Sequence, residues 1–147
     1  MRGMIKYKYW IPVILWMAFI FWMSTETFSQ QNTSAIIEPA VRFLAPTASE
    51  EEIDKIHGVV RKLAHVTEYL ILGMLLFRAF KRGSADRRVW RYAFYSLVIT
   101  ALYAVSDEFH QSFIVVRTAS LIDVCFDLFG GILAQCICVS WSLRNRS

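Results

Sequence analysis

"RKLAHVTEYLILGMLLFRAF", Arg61 to Phe80, begins as a helix that water would accept and ends as one that lipid would accept. Its first half carries Arg61, Lys62, His65 and Glu68, while its second half is apolar until Arg78. The fold class turns on whether that apolar half crosses a bilayer. The function turns on what the polar half faces.

Composition answers the first question. Of 147 residues, 56% are hydrophobic, 15% aromatic and only 19% charged, whereas a soluble domain sits nearer about 45–50% apolar and about 25% charged. The length fits one domain, 1–147. The net charge of +4 forms no stripe on a soluble face. Lys and Arg instead cluster beside apolar runs, which speaks for a membrane setting and against nucleic acid as a partner. Cys125, Cys136 and Cys138 lie together in one apolar stretch; an odd number there argues for small packing residues rather than disulfides.

Four apolar runs follow, at about 9–24, 63–80, 92–113 and 121–141, and the last three approach the roughly 20 residues that a spanning helix requires. The first is short but edged by Tyr7, Tyr9, Trp10 and Trp22, residues suited to membrane interfaces. Pro12 falls in its first turn, where a missing N–H is tolerated. Lys6 and Lys8 give this run a basic flank, but its Trp and Phe content and the lack of a small-residue cleavage pattern make it an uncleaved anchor. Orientation comes from the cations. Arg2, Lys6 and Lys8 precede the first run; Arg78, Lys81, Arg82, Arg87, Arg88 and Arg91 fill the link between the second and third; Arg144 and Arg146 close the chain. Four spans put these three segments on one side, which the positive-inside rule makes the cytoplasm. The expected fold is all-α: a multi-pass cell-membrane protein, a four-span helical bundle with both termini cytoplasmic and 25–62 outside.

That outer segment has its own pattern. "SAIIEPAVRFLA" spaces apolar residues as a helix does, with Pro39 a kink. Ser49 and Glu52 form a capping-box pattern for a second helix. Its Ile53, Ile56, Val59 and Val60 make an apolar stripe, so amphipathic interfacial helices are expected between spans one and two, the second lying on the membrane before turning into span two.

The polar half of the opening stretch is now placed. His65, Glu68 and Tyr69 sit at the outer end of span two and share a face by their spacing. The outer end of span three reads "YAVSDEFHQSF", with Asp107, Glu108, His110 and Gln111. Span four opens "RTASLIDVCFDLFGG": Arg117 lies in the turn, and Asp123 and Asp127 stand four apart on one face. Three spans thus carry ionisable groups at one depth, and the inner halves carry almost nothing comparable. A charge at a span's centre costs about 2.5–3.5 kcal/mol on insertion scales, less near its end. Five carboxylates and two histidines therefore face one another, water or a ligand, not lipid. The local alternatives are structural pairs: Glu68 with Lys62, Asp123 with Arg117, and His110 in the interface.

"RKLAHVTEYLILG", "SDEFHQSFIVVR" and "DVCFDLFGG", in that order, resemble the motifs of the VanZ-like family of small bacterial membrane proteins, over about 16–131. The family takes its name from a protein giving resistance to the glycopeptide teicoplanin. The pattern residues carried over are Lys62, His65, Glu68 and Tyr69; Asp107, Glu108, His110 and Gln111; and Arg117, Asp123 and Asp127. Before Arg117 this chain has "VV" where relatives often have a proline-glycine turn. The resemblance implies a cell-envelope setting and a link to antibiotic sensitivity, not a mechanism.

Three chemistries suit these residues. One is an enzyme acting on a lipid-linked or phosphorylated head group, with Glu68 or Glu108 as general base, His65 or His110 passing the proton, and Arg61, Lys62 and Arg117 holding phosphate. In that reading His65, Glu68, Asp107, Glu108 and His110 form the catalytic set, and Tyr69, Gln111, Asp123 and Asp127 join the three cations in binding. Another is a divalent metal cofactor on His65, Glu68, Asp107, Glu108 and His110, although their spacing is diagnostic of no particular metal. The last is a non-catalytic protein that binds membrane lipids, lipid-linked cell-wall intermediates or the antibiotic itself. No nucleophile elbow, Gly-rich phosphate loop or zinc-protease helix occurs, and Ser106 reads as a packing serine. A small transporter would need polar positions continuing towards the cytoplasm, or assembly into an oligomer.

Overall fold

The helix that holds Arg61–Phe80 starts at a built cap. The Ser49 hydroxyl accepts from the Glu52 N–H at 3.4 Å while a Glu52 carboxylate oxygen accepts from the Ser49 N–H at 2.8 Å, so two N–H groups that the helix cannot pair internally are satisfied. In the computed structural model, which describes residues 2–25, 30–82, 88–113 and 120–145, five helices and no strand are present among those residues: α1 (Arg2–Met23), α2 (Gln30–Leu44), α3 (Glu50–Lys81), α4 (Val89–Gln111) and α5 (Leu121–Arg144). The all-α expectation holds. By length and composition α3 and α5 are long and apolar enough to cross a membrane, and Tyr7–Met23 of α1 is a shorter apolar helix.

One expectation is corrected. The amphipathic stretch after Ser49 does not turn before entering span two; it and the apolar stretch form one helix of 32 residues, about 48 Å long at 1.5 Å per residue. Nothing in its sequence breaks it. There is no proline, and a side chain added at Gly58 would meet nothing within 4 Å. The change from amphipathic to apolar is a change of surroundings along one rod. Pro39, read as a kink, lies inside α2.

Packing follows a strict register. Arg61 meets Asp123, His65 meets Asp127 and Gly73 meets Gln135, each pair 62 residues apart, and Lys81 meets Ser142 at a separation of 61. A constant offset means that α3 and α5 run parallel, side by side along their length. Small residues allow this closeness. A Cβ at Gly130 would stand 2.3 Å from the Val66 carbonyl oxygen, and one at Gly73 would stand 2.8 Å from the Ala134 Cβ, the close backbone approach that glycine permits between membrane helices. A Cβ at Gly131 would stand 2.8 Å from the Thr100 methyl, so the double glycine seats both neighbours of α5. Helices α1 and α4 run opposite to α3: Trp10 packs edge-on against Phe80 and the Trp16 indole N–H donates to the Glu68 carbonyl, while Tyr95 neighbours Phe80 and Tyr103 neighbours Tyr69.

The centre holds Val13, Ile20, Tyr69, Leu72, Leu76 and Ala104. The outside of α4 is just as apolar, with Trp90, Phe94, Leu102, Val105 and Phe109 all exposed. Such a continuous apolar exterior is foreign to a soluble surface. The bundle's ends differ in turn: one carries Arg78 and Lys81, Arg91 and Arg144 near the ends of α3, α4 and α5, and the other carries the acids.

Candidate functional site

At the acidic end, helical spacing sets which side chains converge. His65 and Tyr69 stand one turn apart on α3, as do Asp107 and Gln111 on α4 and Asp123 and Asp127 on α5, and all six are buried. The middle of the layer is a His65 Nδ1···Asp127 Oδ1 contact of 2.9 Å between two buried side chains. One turn outward, the Arg61 guanidinium donates to Asp123 Oδ2 at 2.6 Å. The pair is asymmetric: the Arg61 side chain is 44% exposed and the Asp123 side chain 4%. From α4, Glu108 Oε2 accepts the Ser120 N–H at 2.7 Å, and Gln111 Nε2 donates to Asp107 Oδ2 at 3.0 Å. Glu68 is half-buried and lies within electrostatic range of His65, Tyr69 and Tyr103. Asp127 has Asp107 and Asp123 within the same range, and Glu108 has Asp123, His65 and Asp127.

His65, Glu68, Asp107 and Glu108 are therefore gathered with Tyr69, Gln111, Asp123, Asp127 and Arg61. His110 is turned to α1, its ring 4.3 Å from that of Phe21. Lys62 is exposed, its ammonium 5.2 Å from the Phe126 ring centre. Arg117 lies outside the described residues. Asp123 is paired with Arg61 across the parallel α3/α5 seam, and its expected pairing with Arg117 falls outside the described residues as well. Among the described residues no group of three His, Cys, Asp or Glu side chains is arranged to hold a metal ion; His110 packs its ring on Phe21, and its buried Nδ1 has no hydrogen-bond partner among those residues.

Sequence reading missed three members. Tyr103 donates its hydroxyl to the Met17 carbonyl at 2.6 Å and so ties α4 to α1 beside the layer. It lies four residues before Asp107, and that spacing would have found it. Ser24 accepts from Gln111 Nε2 at 3.4 Å, and Ser120 caps α5 while its N–H serves Glu108. Both depend on how α1 and α5 dock, which no local pattern records. A second correction concerns the inner halves. They hold Ser96, Thr100, Gln135 and Ser142, all buried, neutral polar groups that a count of ionisable residues passes over.

Three buried atoms give the layer its chemical character. The Tyr69 hydroxyl, Glu108 Oε1 and Asp127 Oδ2 have no hydrogen-bond partner among the described residues. Buried polar groups are nearly always paired, and leaving one unpaired costs about 1–3 kcal/mol. The layer thus holds donors and acceptors that the described residues leave unused.

Residues 9–142 match the family model VanZ/LLP1. No curated protein and no solved structure matches this chain. The match covers most of the 147 residues, and the chain belongs to the VanZ/LLP1 family.

Proposed function

We propose that this chain is a four-span protein of the bacterial cell envelope whose buried polar layer, at the outer leaflet, binds an anionic lipid or lipid-linked envelope molecule. Family membership supports the envelope setting, and the concentration of cations at the opposite end of the bundle supports an outward layer. The observation that carries the reading is the trio of buried atoms without partners among the described residues, Tyr69 OH, Glu108 Oε1 and Asp127 Oδ2. A head group bearing both phosphate and hydroxyls suits them: its hydroxyls donate to the two carboxylates, and its phosphate accepts from Tyr69, Arg61 and Lys62. Occupying such a molecule changes what a lipid-binding glycopeptide meets at the surface, so lowered sensitivity to teicoplanin-type antibiotics follows.

A second reading, modification rather than binding, is favoured by the His65–Asp127 pair. A carboxylate on Nδ1 fixes the ring's tautomer and leaves proton exchange to Nε2. The two readings part at Glu68→Gln, which an enzyme tolerates poorly and a binder largely survives. The test compares the lipids and cell-wall precursors of cells with and without the protein, together with His65→Ala, Glu68→Gln and Asp107→Asn. The expected result is that His65→Ala and Asp107→Asn, at near-normal membrane levels, no longer alter teicoplanin sensitivity while Glu68→Gln largely still does; loss in all three would favour modification. Full activity of all three at normal levels would reduce the layer to interhelical glue.

A further inference from the structure

At the other end of the bundle a cavity of about 670 Å³ opens between the last turns of α3 and α5. Its rim is basic: Arg78, Lys81 and Arg82 all line it, and among the described residues no Asp or Glu does. Its walls are apolar, with Met74 and Phe77 from α3 and Ile137 and Trp141 from α5. The Ile137 and Trp141 side chains are themselves exposed on the outside of α5, 49% and 67%, so the wall runs on into the surface that faces the hydrocarbon.

The described residues hold the three cations in place without neutralising them. Arg78 and Arg82 both lie over the Tyr9 ring, their guanidinium carbons 5.5 Å and 4.8 Å from its centre. Lys81 Nζ donates to the Ser142 hydroxyl at 2.8 Å and lies 5.8 Å from the Phe77 ring centre. None of the three forms an ion pair among the described residues. Aromatic faces and one hydroxyl fix their positions and offer no formal countercharge. Three like charges around a partly dry cavity repel one another, and an entering anion removes that penalty.

We infer that this cavity is a binding site for an anionic glycerophospholipid of the inner leaflet. The headgroup phosphate sits among Arg78, Lys81 and Arg82, and an acyl chain lies along the Met74, Ile137 and Trp141 wall. A free phosphate satisfies the rim but leaves the wall bare, and a zwitterionic lipid brings its own cation to a basic rim; the combined lining selects the anionic lipid. The inference rests on the membrane reading above but uses no residue of the polar layer.

The test uses the full-length protein in uncharged detergent and native mass spectrometry. Phosphatidylglycerol, phosphatidylcholine of the same acyl chains, and glycerol phosphate are titrated separately. The wild type is expected to retain one phosphatidylglycerol in preference to phosphatidylcholine, with glycerol phosphate failing to displace it. Replacing Arg78, Lys81 and Arg82 together by Gln should weaken retention about a hundredfold, since each basic residue near a lipid surface contributes several-fold. Ile137→Trp, which fills the cavity without altering charge, should weaken it as well and keeps the question open to measurement if the triple variant does not fold. Equal retention of the two lipids by the wild type, or undiminished retention by either variant, overturns the site. His65→Ala should retain the lipid unchanged, so failure of the polar-layer reading and failure of this one give different results.

Discussion

Arg61 and Asp123 share one short contact but not one environment. The carboxylate is buried and the guanidinium nearly half exposed, so the two partners do not lose equally when the pair is broken. Arg61→Gln strands a buried anion and should cost about 1–2 kcal/mol, less than a fully buried pair because water reaches the arginine side. Asp123→Asn removes the charge together with its need for a partner and should cost less. Joined with Arg61→Gln, it should recover part of the arginine's loss. A double-mutant cycle of thermal unfolding in detergent measures the coupling, and strictly additive losses would show that the contact carries no energy. Which acids and which histidine share a face was legible in the sequence, because Asp123 and Asp127, or His65 and Tyr69, need only helical spacing to be aligned. Which cation meets Asp123 was not. Arg61 lies 62 residues away in sequence, and only the parallel seam of α3 and α5 brings it to Asp123.

Between elements the controlling quantity is how near two backbones come. Gly130 stands against the Val66 carbonyl, and a methyl group there would overlap backbone that has no rotamer to change. Gly130→Ala should therefore force α3 and α5 apart, draw Asp127 away from His65, and cost about 3 kcal/mol, the upper part of the range for overpacking. Gly58→Ala in open space should instead be neutral or gain up to about 1 kcal/mol from helix propensity. Protein level and melting temperature of the two variants settle the contrast; equal behaviour would deny that α3 and α5 pack through their glycines. The start of α3 offers a pH test. Backbone and side-chain hydrogen bonds from Ser49 hold the Glu52 carboxyl below its ordinary value of 4.5. A depressed pKa means that the cap's contribution is complete above pH 4.5 and is lost as pH falls through the lower, folded value. Amide exchange in the first turn, corrected for intrinsic rate, should stay flat from neutral pH down to that point and then rise. Glu52→Gln should abolish the step. This cap was legible because a capping box is a local pattern. The continuity of α3 was not, since a change of polarity along a chain looks the same whether the helix bends or only its surroundings change.

For the whole molecule the decisive asymmetry is between ends. α1 and α4 run against α3 and α5, so the start of α1 and the close of α5 come to the same end as Arg78, Lys81 and Arg82. The acids and His65 occupy the opposite end. Cations stay on the cytoplasmic side of a membrane far more firmly than acids do, and the proposed orientation, with α2 and the first turns of α3 outside, rests on that preference. α2 fits an interfacial place there: Arg42 is bonded to Glu38 at 2.9 Å and to Glu50, while Phe43 and Leu44 beside it are exposed. The sequence made this polarity readable through its cations, whereas the inner lipid cavity needed the structure, because its walls come from residues about 60 apart. Single cysteines placed at Ser34 and Asn145, with Cys125, Cys136 and Cys138 replaced by Ala, test the orientation in intact cells. An impermeant maleimide should label the probe at Ser34 and reach the one at Asn145 only after the membrane is opened. Exposure of Asn145 from outside, with Ser34 protected, would place the polar layer in the cytoplasmic leaflet. The ligand would then have to come from inside the cell, and the basic cavity would face the outer leaflet, where inner-leaflet lipid could not supply it.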